Sequence, residues 1–279
     1  NLSKRHNVEM RLDLSFLQRA WAGYIKKRYD NSKFINFELY PFFIEENFLF
    51  KNDNLFSEKI YKVNKYFGIL LFSILSFLQK NHYREQKFNF DDTILNLCDG
   101  YFEWYFQSEK YFIDNEDIIR GDFNFKLQPS EENIKIIELI EASNSISLHI
   151  RRGDYISNPN NAFYNTCDLE YYKKAISLMC EKTENPIFFV FSDDMAWTKA
   201  NLDTNHLTYY VDVNDNQHNY EDLRLMSLCK NNIIANSSFS WWWAWLNKHP
   251  WKMVIAPDKW FHWDNINYSD IVPNSWIKI

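Results

Sequence analysis

Two adjacent arginines followed by glycine and aspartate, Arg151-Arg152-Gly153-Asp154, form the group in this sequence best suited to chemistry. A guanidinium is a rigid planar fork of N–H donors, so a neighbouring pair can offer one or two forks to a phosphate. Asp154 can pair with one arginine and hold its plane. Gly153 lets the backbone pass closely. The group follows a short apolar run, Ser145–Ile150, that includes His149. A bare Arg-Arg-Gly-Asp is more often a surface ion pair. After an apolar strand, His149–Tyr155 points instead to an anion grip.

Other polar groups carry weaker signals. Asn236-Ser237-Ser238 precedes a tryptophan-rich helix, and free N–H groups at a helix start attract anions. Taken alone, either serine is an ordinary helix cap. The same residues spell an N-x-S sequon, which a strand–helix junction over a ligand crevice makes a poor glycan acceptor. Asp222 can accept two hydrogen bonds from the N1–H and N2–H₂ edge of guanine, or can be a solvated helix acid. Asp193 and Asp194 can orient a ribose, an arginine or an acceptor hydroxyl, or can cap the segment that follows.

These residues need elements to position them. The sequence predicts a helix over 129–144, opened by Pro129 and Ser130 with Glu131 and Glu132 in its first turn. Strands follow at Ser145–Ile150, Ile187–Phe191, His206–Val211, Asn232–Ala235 and Met253–Ala256. Helices lie between them at Leu169–Lys182, Tyr220–Lys230 and Phe239–Lys248. Asp168 is the expected cap of the first of these, and Leu169, Tyr172, Ile176 and Met179 share one face. Alternation of this kind means βαβ units and a parallel sheet. Ligands then bind beyond the carboxyl ends of the strands, where His149–Tyr155, Ser192–Asp194, Asp212 and Asn236–Ser238 all fall. Among Trp241, Trp242, Trp243 and Trp245, the helical period puts Trp241 and Trp245 on one face. Three consecutive tryptophans cannot all face a core, so one is expected at a crevice wall.

Residues 1–128 read as irregular, with a strand end at Met10–Phe16 and helical, Phe- and Lys-rich stretches. The apolar run Tyr66–Leu78 is well short of the ~20 residues of a membrane span. It reads as a buried helix, with a membrane-surface helix as the alternative. A net charge of −6 and the lack of a basic stripe exclude nucleic acid as a partner. Cys98, Cys167, Cys180 and Cys229 form no CxxC and read as reduced, mostly buried thiols. The histidines form no HxxxH or HxH set, so no metal site is expected. Aromatics make up 19% of the chain, which suits sugar-stacking surfaces and plain cores alike.

SLHIRRGDY, FSDD and NSSFSWWWAWL together resemble the ordered motifs of bacterial α-1,2-fucosyltransferases, glycosyltransferase family 11. The resemblance is dense after residue 145 and sparse before it. It implies an α/β, GT-B-like fold of two Rossmann-like domains. Residues 129–279 would be the GDP-sugar-binding domain. Residues 1–128 would be a more helical acceptor-side domain, truncated at its first strand. The family's Gly-Gly-Leu-Gly-Asn-Gln-Met-Phe-Gln-Tyr-type segment would precede Asn1–Asn7. By the same resemblance Arg151 grips the β-phosphate and stabilises the leaving GDP, and Arg152 and Asp154 shape the loop. His149 and Asp222 read guanine. The interval from Asp222 to Ser238 matches the spacing that puts a serine hydroxyl and amide on the diphosphate. Asp193, Asp194 and Ser237 complete the donor side. Tyr105-Phe106-Gln107 resembles a Gly-Tyr-Phe-Gln segment of the acceptor side, to which Tyr155 is also assigned. Trp104 stands where that segment has its glycine, and Trp243 where a small residue is common.

The implied reaction moves L-fucose from GDP-β-L-fucose to the 2-hydroxyl of a terminal β-galactoside, with inversion and without a metal or other cofactor. Asp154 and Arg151 are the catalytic candidates. A cytoplasmic location is implied, with peripheral contact to the inner face of the membrane as an option. A transferase using another nucleotide sugar and a non-catalytic glycan- or nucleotide-binding homologue are the alternatives.

Overall fold

The computed structural model describes residues 82–85, 87–97, 101–103, 105–157, 164–215, 217–262 and 266–279. Met10–Phe16, Tyr66–Leu78, Cys98 and Trp104 lie outside the described residues. The described residues fall into two compact units, 82–122 and 123–279.

In the first unit, β1 (His82–Arg84) pairs in parallel with β2 (Tyr101–Glu103). Three 3-10 turns follow Asp91, Ser108 and Phe112. Asp91 and Ser108 cap theirs by accepting the backbone N–H groups of Thr93 and Lys110. The helical content expected for the first half is represented here by those turns and by α1 (Glu116–Asp122).

The second unit is an alternation of helices and strands. It begins with α2 (Glu131–Glu141), β3 (Asn144–Ile150) and α3 (Gly153–Ser157). Next come α4 (Leu169–Lys182), β4 (Pro186–Ser192), α5 (Met195–Asn201) and β5 (Thr208–Tyr210). It ends with α6 (Asn219–Leu228), β6 (Asn231–Ile233), α7 (Ser238–Leu246), β7 (Val254–Ala256) and β8 (Ile277–Lys278). The six strands form one sheet in the order β5-β4-β3-β6-β7-β8, every pair parallel. Counted within the sheet this is 3-2-1-4-5-6, the Rossmann order, with its switch point between β3 and β6.

Local chemistry explains the element ends. Ser130 caps α2 by accepting the N–H of Asn133, and Asp168 caps α4 by accepting that of Tyr171 at 2.8 Å. Tyr172, Ile176 and Met179 are buried on α4 as expected, joined by Tyr171 and Ala175, while Leu169 is partly exposed. Several boundaries differ from the expectation: α2 ends at Glu141 rather than at 144, because Asn144 already belongs to β3, and α7 ends at Leu246 rather than Lys248. His206 and Leu207 precede β5 in a turn closed by the Thr204 hydroxyl, which accepts the His206 N–H at 3.2 Å. Helix α6 stops at Leu228 because Cys229 is extended and the Lys230 N–H turns to Ser145 Oγ at 3.2 Å. That places Cys229 just past the helix rather than inside it. Strand β6 covers Asn231–Ile233 rather than 232–235. Met253 stays outside β7, its N–H held by Asn231 Oδ1 at 2.8 Å. Strand β8 has only two residues, too few to show any period, and was not anticipated.

Strand parity divides β3. Ile146, Leu148 and Ile150 face the core shared with α4, whereas Ser145, Ser147 and His149 face the other side. On α7, Trp241, Trp243 and Trp245 are buried, and Trp241 and Trp245 stack at 6.2 Å. Trp242 is the partly exposed one, stacked on Phe123 at 5.1 Å. Lys252 closes the far end of α7 by donating to the carbonyls of Ala244, Trp245 and Asn247. Among the described residues, no helix is long and apolar enough to cross a membrane.

Candidate functional site

The chain leaves β3 at Ile150 and β4 at Ser192, adjacent strands of the sheet, and the two exits meet through Asp193. Its Oδ2 lies 3.1 Å from Arg151 Nη1, and its Oδ1 accepts the Arg152 backbone N–H at 2.8 Å. Gly153 is required by this approach: a Cβ there would sit 2.8 Å from Asp193 Oδ2. Arg152 points to other partners. Its guanidinium carbon lies 3.5 Å over the Trp197 ring, with Nε 3.7 Å from Asp194 Oδ2. Asp194 caps α5 through the Trp197 N–H at 3.2 Å. Of the roles left open by the sequence, Asp193 therefore takes Arg151, and Asp194 both caps α5 and pairs with Arg152. Asp154 begins in α3, but its side chain lies outside what the structure describes.

Across the switch point, the exits of β3 and β6 are tied together. Tyr155, on α3, donates its hydroxyl to the Asn236 carbonyl at 3.0 Å and stacks on Tyr164 at 4.7 Å. Arg151 lies 5.5 Å from the Tyr155 ring. His149 is buried, with Nδ1 hydrogen-bonded to Ser240 Oγ on α7 and its ring near Phe239 and Trp243. Burial lowers its pKa to about 3, and the Arg151 charge pushes the same way, so the imidazole is neutral near pH 7.

Ser237 is the cap residue of α7 but makes no side-chain cap bond. Ser238, the first helical residue, is exposed. The start of α7 thus presents its N–H end at the carboxyl edge of the sheet, suited to an anion. Asn236 cannot carry a glycan as placed. It is fully buried, and its amide nitrogen donates to the carbonyls of Asn165 and Trp260 while its oxygen receives the Cys167 thiol. Burial pushes that thiol up to about 12.

Asp222 belongs to a second set of hydrogen bonds. Asn214 Nδ2 donates to Asp222 Oδ1 at 2.8 Å, and Asn214 exchanges amide bonds with Asn133. Burial raises the Asp222 carboxyl to about 7, with Glu221 and Asp212 adding to the rise. Beside it, Glu221 pairs with Arg224 at 2.8 Å, and Arg224 covers the Phe125 ring. Tyr105 and Gln107 lie in the other unit. Tyr105 is 57% exposed against Phe88, and Gln107 Oε1 is buried without a donor among the described residues.

Sequence reading missed Ser240, Asn133 and Asn214. Only Ser240 left a signal, as a polar residue inside an otherwise aromatic helix. Among the described residues, no group of three His, Cys, Asp or Glu side chains could hold a metal ion.

The family model of Glycosyl transferase family 11 matches residues 32–279. The O-antigen biosynthesis glycosyltransferase WbnK of Escherichia coli is 36% identical over 241 residues, 83% of this chain and 76% of that protein. The Alpha-1,2-colitosyltransferase of Escherichia coli is 38% identical over 181 residues, 63% of this chain and 61% of its own. The Galactoside alpha-(1,2)-fucosyltransferase 1 of Rattus norvegicus is 30% identical over 103 residues, 36% and 27% of the two chains. The motifs on the carboxyl edge of the sheet and the match over most of the chain agree, and the chain belongs to glycosyltransferase family 11.

Proposed function

We propose that this glycosyltransferase moves L-fucose from GDP-β-L-fucose to the 2-hydroxyl of a terminal β-galactoside, inverting the anomeric centre without a metal. One observation carries the reading: at the carboxyl edge of a Rossmann-ordered sheet, Asp193 holds the Arg151 guanidinium at the exit of β3, and α7 starts after the strand next to it across the switch point. The proposal includes a GT-B-like plan, with 129–279 as donor domain and 1–128 as acceptor side.

Arg151 and the α7 amides around Ser238 would bind the diphosphate, with Ser237 beside them. The neutral imidazole of His149 and the carboxylate of Asp222 would read guanine. The acceptor 2-hydroxyl attacks C1 opposite the diphosphate, the C1–O bond to GDP breaks, and the hydroxyl proton is lost. Negative charge grows on the leaving diphosphate, where fixed positive charge and N–H dipoles lower the barrier. Asp193 is the residue that keeps Arg151 aimed, and Arg152, stacked on Trp197, shapes the loop.

A second donor is favoured by a specific observation. The 38% identical relative is named for α-1,2 transfer of colitose, a sugar lacking the 3-hydroxyl of fucose. Calorimetry with GDP-fucose, GDP-colitose, GDP-mannose and UDP-galactose separates the donors. Transfer to β-galactosides, with the linkage read by NMR, tests the reaction. Preference for a UDP-sugar, or a linkage other than α-1,2, would sink the proposal.

A further inference from the structure

The turn that follows β3 brings an aromatic side chain back onto Arg151. Helix α3 is short, and its Ile156 N–H bonds the Arg152 carbonyl at 2.9 Å. Tyr155, on that helix, has the Arg151 guanidinium carbon 5.5 Å over its ring. At this distance an aromatic face still attracts a cation.

Tyr155 is itself fixed at its hydroxyl and at its ring. The hydroxyl donates to the Asn236 carbonyl at 3.0 Å, across the switch point. The ring stacks on Tyr164 at 4.7 Å, with only 7° between the planes. Both supports are built into the fold. Asn236 is fully buried, its amide nitrogen is held by the carbonyls of Asn165 and Trp260, and it immediately precedes Ser237, the cap residue of α7. Tyr164 pairs with Phe261 in an antiparallel bridge, their rings 5.8 Å apart.

Arg151 is thus held from two strand exits. Asp193 takes Nη1 from the exit of β4. Tyr155 bears on the guanidinium carbon and refers it to the exit of β6. A single ion pair lets a guanidinium pivot about one nitrogen, and a second contact restricts that motion.

We propose that Tyr155 is a positioning residue for Arg151 on the donor side: its ring bears on the guanidinium, and its hydroxyl anchors that ring to the residue before the α7 cap. The inference rests on the reading of Arg151 as the diphosphate grip and adds the group that steadies it. An acceptor contact would need the hydroxyl or the ring face for the sugar, and protein groups engage both.

The test is calorimetry with GDP and with guanosine on the full chain, followed by transfer kinetics. The ratio of the two affinities isolates the hold on the diphosphate, since a merely structural fault weakens both ligands alike. Tyr155→Leu should weaken GDP about tenfold and lower kcat to a similar extent, with guanosine affinity and acceptor KM within about twofold. Tyr155→Phe keeps the ring and loses its anchor, and should weaken GDP only about threefold. In an Arg151→Ala background, Tyr155→Leu should cost GDP nothing further, because its effect runs through the arginine. Equal losses of GDP and guanosine, or a full loss added to that of Arg151→Ala, overturn the positioning role. A raised acceptor KM with unchanged GDP affinity overturns it in favour of an acceptor contact. Should Tyr155→Leu fail to fold, Tyr155→Phe decides, and an unchanged ratio of GDP to guanosine affinity overturns the role. A wild type that prefers UDP to GDP defeats the donor reading above, and the ratio of UDP to uridine then judges Tyr155 in the same way.

Discussion

Two polar clusters share the same face of β3, and only one of them looks outward. The inner cluster is Ser147, Asn232 and Asn247, all buried. Asn232 Nδ2 donates to Ser147 Oγ at 2.7 Å and to the Met226 carbonyl at 3.1 Å. Its oxygen accepts from Asn247 Nδ2 at 2.7 Å, which also reaches the Cys229 carbonyl, and Asn247 Oδ1 accepts the His249 N–H. Every amide group is used within the protein. Two residues further along the strand, His149 begins the outer cluster. There the bonds run toward the surface: the Arg151 side chain is 31% exposed, and Ser238 stands at an open helix start. Polarity on a buried strand face is therefore not itself a sign of chemistry. A closed set of bonds welds β3, β6 and the end of α7 together, and an open one is available to a ligand.

Substitutions in the two clusters should fail in opposite ways. The largest effect is expected at Arg151. On the proposed reading, Arg151→Ala removes the charge facing the leaving diphosphate and lowers kcat/KM by about 10³-fold or more. Its melting temperature should stay near wild type, since a partly exposed ion pair contributes little to stability. Near-normal transfer from GDP-fucose would remove Arg151 from its role. The inner cluster should show the reverse. Asn232→Ala leaves the Ser147 hydroxyl only its long bond to the Asn231 carbonyl, strands one Asn247 N–H, removes the side-chain donor to the Met226 carbonyl, and should cost about 3 kcal/mol in urea unfolding. The protein that remains folded should keep its activity. An unchanged urea midpoint would mean the closed set is not what joins these elements.

Asp193→Asn sharpens the comparison from the side of aim rather than charge. The amide oxygen can still accept the Arg152 N–H, but the ion pair with Arg151 is lost. A guanidinium free to swing should lower kcat roughly 10- to 100-fold while GDP affinity changes less. Equal losses in both would make Asp193 a binding group instead of an aiming one.

The same distinction explains what was legible in the sequence. Helix α4 was readable to the residue because cap, first turn and apolar period all agreed at Asp168–Lys182. The parallel sheet was readable from alternation, and its polar carboxyl edge from strand ends alone. Bonds between distant segments were not. That Asp193 holds Arg151 depends on β3 and β4 being neighbours, which no local pattern encodes. The His149–Ser240 bond depends likewise on α7 folding back over β3. Helix ends at Leu228 and strand ends at Thr208 were set by single hydroxyls, Ser145 and Thr204, too small a signal for periodicity to carry.

The smallest expected effect is a pH dependence, and it tests whether Asp222 belongs to the outward-looking class. Its carboxyl is raised by burial from 3.8 to about 7, so the folded protein holds this proton over a range where the unfolded chain has released it. The sign follows: stability linked to Asp222 is present below the unfolded value and falls as pH rises toward 7. Guanine recognition needs the opposite state, a carboxylate that accepts from N1–H and N2–H₂. Affinity for GDP-fucose, whose diphosphate has no group titrating near 7, should therefore rise up to about tenfold between about pH 6 and 8. Asp222→Asn should flatten that rise and also remove the fall in stability of the ligand-free protein. If the affinity profile is unchanged in Asp222→Asn while the stability profile flattens, the carboxyl is buried only for its bond with Asn214, and it joins the closed cluster rather than the open one.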